Sequence, residues 1–152
     1  MFRGSNHKKC ADTFKGDLYH KDVYMPKQLI KLATEMFSKF RNNTEFKCDH
    51  VDNNKDCDKC HSYSVELIKE SLAKVDIKDI NIFEIGTWYS LNDEPNTDII
   101  KFGVRFPYNQ EEDVIIFYNS DGTVRTAWLN YKVDNHKTLD RTKYVTRPIK
   151  RK

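Results

Sequence analysis

The sequence predicts an α+β domain, with helices first, joined by a zinc-clasped loop, and then a four- to five-stranded, mostly antiparallel sheet. Apolar residues recur at helical spacing in the first half, at Leu29, Ile30, Ala33, Met36, Phe37 and Phe40 and again at Val65, Ile68, Leu72 and Val75. From Ile80 the period shortens to two and the vocabulary turns β-branched and aromatic. Between the two helical stretches, Cys48 to His61 holds three of the four cysteines and two of the five histidines. A chain of 152 residues can bury roughly 70% of its unfolded surface. The helical region 1–79 and the sheet region 80–152 are therefore expected to share one compact domain.

Residues 1–24 show no lasting period, and Gly4, Gly16 and scattered charges mark a loop-rich entry. Cys10 and His20 lie in it without any spacing that signals chemistry. Pro26 then opens the first helix, because its fixed φ suits the first turn and its missing N–H is not needed there. Asn42, Asn43 and Thr44 end it, and the second helical pattern starts near Ser64. The first strand comes from I-N-I-F-E-I-G-T-W-Y-S-L, followed by the turn N-D-E-P-N. In D-I-I-K-F-G-V-R-F, strict alternation puts Ile100, Phe102, Val104 and Phe106 on one side and Lys101 and Arg105 on the other. D-V-I-I-F-Y forms a third strand, and N-S-D-G a hairpin turn in which Gly122 takes a positive φ. The fourth strand, T-V-R-T-A-W-L, places Val124, Thr126 and Trp128 on one face and Arg125 and Ala127 on the other. A short last strand, K-Y-V-T, is expected before Pro148.

The cysteine cluster reads as a structural Zn2+ site. Cys57 and Cys60 form a C-x-x-C knuckle that lets two thiolates meet one ion, with Cys48 and His50 upstream and His61 adjacent. A long structureless loop inside a small domain calls for something to order it, and a bound ion does so. Which of His50, His61 or Cys10 completes the tetrahedron stays open. C57-D-K-C60-H61 also matches the c-type haem attachment motif. That chemistry belongs to exported chains, and the start M-F-R-G-S-N-H-K-K-C lacks the apolar core of a secretory signal.

No apolar run approaches the roughly 18 residues of a membrane span, so a cytoplasmic protein without a membrane partner is expected. The vocabulary of Lys, Asn, Asp and Ile points to an AT-rich microbial or viral genome. The formal net charge is +3, yet His136 to Lys152 carries seven Lys or Arg against one acid, Asp140. Such polarised charge suits a polyanionic partner.

The same stretch is dense in groups that move protons or hold phosphate. His136 titrates near neutrality, Thr138 and Tyr144 offer hydroxyls, and Lys137, Arg141, Lys143 and Arg147 offer positive charge. Arg105 and Arg125 approach from the polar sides of neighbouring strands. Cleaving RNA without a metal needs a base for the 2′-hydroxyl, an acid for the leaving oxygen and cations for the phosphate charge, and His, Tyr and Arg supply these. The H-x-E and P-C-x-x-C pair of zinc deaminases is absent, since Val51 and Asp52 follow His50 and no Pro precedes Cys57.

The order of helices, a strand meander with D121-G122-x-V124-x-T126-A127-W128-L129, then H136-K137-T138-L139-D140 and Tyr144, resembles the barnase, EndoU, colicin and RelE-like ribonuclease superfamily, especially its phage-borne branches. The resemblance covers about Ile80 to Tyr144. It implies an endoribonuclease in which Arg125, Thr126, His136, Thr138 and Tyr144 act in catalysis or phosphate binding. The zinc clasp is no part of that pattern. Two functions are therefore expected as alternatives: a metal-independent ribonuclease or RNA-binding protein, and a noncatalytic phage- or plasmid-encoded anti-defence inhibitor that binds a host nucleoprotein complex.

Overall fold

The computed structural model describes residues 14–46, 65–90, 94–133 and 139–147. Cys10, Cys48, His50, Cys57, Cys60 and His61 lie outside them, and the expected zinc clasp with them, as do His136, Lys137 and Thr138. In chain order the elements are β1 (Asp17–His20), α1 (Lys27–Phe40), β2 (Glu45–Phe46), α2 (Val65–Lys74), β3 (Asn81–Thr87), β4 (Ile99–Pro107), β5 (Glu112–Asn119) and β6 (Thr123–Tyr131). Short 3-10 turns occupy Ile77–Asp79 and Arg141–Lys143. The fold is α+β, with a sheet ordered β1-β3-β4-β5-β6-β2. Strands β1, β3, β4, β5 and β6 pair antiparallel, while β2 adds a two-residue parallel step on β6.

Pro26 is the N-cap of α1, at φ −61° and just before its first helical residue. The spacing of Leu29, Ala33 and Phe37 turns all three onto the sheet, where each is fully buried. Phe37 meets Tyr118 edge-on at 6.0 Å, and Phe40 stacks on Phe102 at 6.2 Å. From α2, Ile68 and Leu72 complete the same core. Each such aliphatic or aromatic side chain contributes about 1.5–3 kcal/mol by leaving water. Arg41, just past α1, donates from Nη2 to the carbonyls of Leu72 and Val75. These are carbonyls at the end of α2, which lack helical partners and carry the negative end of its dipole, so one guanidinium satisfies that end and ties the two helices together.

Four readings of the strands are corrected. Lys143 to Thr146 form no strand; a 3-10 turn ends at Lys143, and the Val145 amide instead donates to the Leu18 carbonyl at 2.8 Å. The outer strand on that side is β1, drawn from the entry segment read as loop, because four residues are too few to display a period.

Two bulges then shift the faces. Gly86 pairs with Lys101 but Thr87 with Ile99, so Ile100 is an extra residue and Ile99 takes the core position. Phe117 pairs with Thr126 but Tyr118 with Val124, so Arg125 is extra. Val124, Ala127 and Leu129 consequently join the core cluster, and Thr126 and Trp128 turn to the other face. A bulge changes the phase of side chains without altering composition, which is why strict alternation misplaces them. Gly122 has φ 92°, the left-handed conformation that its hairpin turn requires.

Candidate functional site

The sheet face away from the helices carries the candidate site residues. On β4 it presents Lys101, Gly103 and Arg105, the alternates of the core residues Phe102, Val104 and Phe106. On β3 a bulge between Ile82 and Glu84 inserts Phe83, which with Glu84 falls outside the helix-side core. Phe83 meets Phe117 edge-on at 5.3 Å, and Phe117 stacks on Trp128 at 5.9 Å with ring planes 22° apart. Gly103 permits this row, since a Cβ there would lie 2.7 Å from Phe117 and 2.9 Å from Phe83. Phe83 is buried, whereas Phe117 and Trp128 are half-buried.

At one end of the row lies a polar cluster. Tyr144 donates its hydroxyl to Glu84 Oε1 at 2.9 Å, and its ring meets the His20 ring edge-on at 5.2 Å. His20 is 1% exposed, and its Nδ1 accepts from the Asp22 amide at 3.1 Å. The 139–147 segment is held against β1 by the Val145 amide on Leu18 and by Arg141 Nη1 on the Asp22 carbonyl at 3.0 Å. Burial, then the charge of Glu84 and the hydrogen bond to it, push the Tyr144 phenol well above the ordinary tyrosine value. The group is therefore a hydrogen-bond donor across the working range and not a base. Asp140 fastens the turn itself: hydrogen bonds from the hydroxyl and amide of Thr142 hold its carboxyl below the usual range.

The expected site residues distribute unevenly. Arg125 Nη1 donates to Asn119 Oδ1 at 2.9 Å, and its charge acts on Lys101. Thr126 is half-buried opposite Phe117. Lys143 lies 5.9 Å from the Tyr144 ring centre, and Arg147 is exposed beyond it. Tyr144, Lys143 and Arg125 thus gather around the β3–β4 surface, and Arg141 anchors the segment that brings the first two. Arg105 does something else. It is 8% exposed, donates to Asp113 Oδ2 at 2.7 Å and to the Tyr131 carbonyl at 2.8 Å, and so ties β4 to β5 and β6.

Sequence reasoning passed over His20 and Glu84. A lone histidine in a segment without period carries no signal. Glu84 does carry one, as a carboxylate inside the apolar run I-F-E-I-G, a position that is uncommon unless it is paired. An open cleft of about 430 Å³ lies elsewhere, between α2 and the end of β4, with Leu67, Val75, Asp79 and Tyr108 on its walls, and shares no residue with this face. Among the described residues no group of three or more His, Cys, Asp or Glu is placed to hold a metal ion. No helix among them is long and apolar enough to cross a membrane. Comparison with protein-family models, curated proteins and solved structures finds no match for this chain.

Proposed function

We propose that this face binds single-stranded RNA, with bases stacked on the Phe117–Trp128 row and phosphates drawn by Arg125, Lys143 and Arg147. The row of aromatic rings on the same face as Arg125, with Lys143 by Tyr144 at the polar cluster, carries the reading, since base stacking plus backbone neutralisation is how single strands are held without sequence reading. Cleavage of the bound strand would need a base, and the protonated Tyr144 is not one. That role falls to Glu84 or His136, with Thr138 and Lys137 beside the latter in sequence.

The test is fluorescence anisotropy of a labelled oligoribonucleotide and its DNA counterpart in chelator, followed by gel analysis of the RNA. Tight binding that weakens steeply with salt supports the reading, and RNA ends bearing a cyclic phosphate would add endonuclease activity. Absence of binding at low salt removes both. A second reading is supported by Trp88, 56% exposed, and Tyr131, 63% exposed: a noncatalytic protein that docks on a host nucleoprotein complex through aromatics outside the row.

A further inference from the structure

Lys101 is buried, and among the described residues no hydrogen bond or ion pair holds its charge. It stands on β4 in register with Gly86 of β3, and the residue is 8% exposed. Space for its stem exists only because Gly86 has no side chain: a Cβ there would lie 3.0 Å from Lys101 Cγ. The ammonium rests 4.6 Å from the centre of the Phe14 ring, yet makes no hydrogen bond and no ion pair among the described residues. A buried ammonium without an acceptor is costly, and a ring face compensates only in part. Its electrostatic surroundings do not help. Burial pulls the Lys101 pKa below the ordinary lysine value; Glu84 opposes this, while Arg125 and Lys143 reinforce it. Glu84 already accepts from Tyr144. Arg125 and Lys143 thus add their charge to that of Lys101, and an incoming oxyanion would give the ammonium the acceptor that it lacks among the described residues.

We infer that Lys101 anchors a phosphate subsite, with Arg125 and Lys143 as its flanking charges. A phosphoryl group fits better than a carboxylate, because it brings several acceptor oxygens and up to two negative charges to an ammonium that feels the charges of Arg125 and Lys143. The inference deepens the RNA-binding reading by naming the group that one phosphodiester would meet, but it stands on Lys101, Gly86 and Phe14, which that reading does not use. The same chemistry is offered by a free phosphate or a mononucleotide.

The experiment is NMR of the full chain labelled with [13Cε]lysine, the Lys101 resonance being assigned with Lys101→Met. The free protein is titrated with pH, then with inorganic phosphate, with chloride at matched ionic strength, and with an oligoribonucleotide. Lys101 is expected to titrate below the other lysines and to move back toward them as phosphate saturates. Arg125→Gln, which keeps Lys101 in place, is expected to raise the Lys101 pKa in the free protein and weaken phosphate severalfold. An equal response to chloride reduces the effect to screening and overturns the subsite. An oligoribonucleotide that binds while the Lys101 resonance stays put overturns the subsite and leaves RNA binding standing. Phosphate that moves Lys101 in a protein without affinity for RNA does the reverse. Lys101→Met fills the space over Gly86 with an apolar stem, so its unfolding midpoint is expected to match or exceed the wild type; a clear fall would show that the ammonium is satisfied within the fold and overturn the inference.

Discussion

Tyr144 donates its phenolic hydrogen to Glu84 across 2.9 Å, joining the C-terminal segment to a strand residue sixty positions earlier. The phenol is raised above its ordinary value by burial and by Glu84, and Tyr118, buried under α1, is raised as well. A raised folded-state pKa gives stability that is fully present below the unfolded value of about 10 and is lost as pH rises through the folded one. Urea unfolding from neutral to strongly alkaline pH should therefore show a steep alkaline loss. Tyr144→Phe should flatten it in part, leaving the contribution of Tyr118, at a cost of about 1 kcal/mol near neutrality.

Arg41 ties the two helices of the layer together. Replacing it with Met keeps an apolar stem near Phe37, whose ring lies 5.8 Å from the guanidinium, but strands the Leu72 and Val75 carbonyls. A loss of about 1.5–3 kcal/mol is expected, the range for hydrogen bonds from a charged donor. Thermal unfolding reads it directly, and a midpoint within error of the wild type would contradict the capping role.

Acid sensitivity should centre on Asp113. Burial pushes its carboxyl up, but hydrogen bonds from Lys132 and Arg105 outweigh that and hold it below the ordinary value. A depressed folded-state pKa contributes stability above the unfolded value of about 3.9 that disappears as pH falls through the lower folded one. Asp113→Asn should lower stability at neutral pH by about 1–3 kcal/mol, since it removes the ionic partner of Arg105, and flatten the acid limb of the stability profile.

Two tryptophans separate the two functional readings. Trp128 stacks on Phe117, while Trp88 lies just beyond β3, 56% exposed. Trp128→Leu should weaken oligoribonucleotide binding on the order of tenfold, within the range of one stacked base, with the salt slope retained. Trp88→Leu should leave that affinity unchanged. The opposite pattern, with a protein partner lost in Trp88→Leu, would favour docking on a nucleoprotein.

The zinc clasp expected from the sequence is tested separately. Native mass spectrometry is expected to find one zinc per chain, and Cys57→Ser with Cys60→Ser should abolish it, since thiolates at C-x-x-C spacing supply half of the tetrahedron. Chelator should lower the unfolding midpoint of the wild type and not of the variant. A chain that carries no zinc after purification without chelator would remove the clasp.

Periodicity was enough for the core of α1 and α2, for Phe102, Val104 and Phe106 and for the turn at Gly122, because each depends on neighbours within a few residues. The candidate site was legible only in fragments. Tyr144, Lys143 and Arg125 stood out by residue type, whereas His20 and Glu84 lay in segments whose local pattern says nothing of phenols and cations brought in from 139–147.

What the sequence determined alone is the α+β composition, the helix faces and the succession of the four strands β3 to β6, since short-range hydrophobic spacing dictates them. Tertiary structure decided which residues share the second face. Bulges at Ile100 and Arg125 reset the phase of two strands, and the return of the C-terminal segment onto β1 placed Tyr144 against Glu84 and His20. Those choices depend on packing between distant segments, which no local period records.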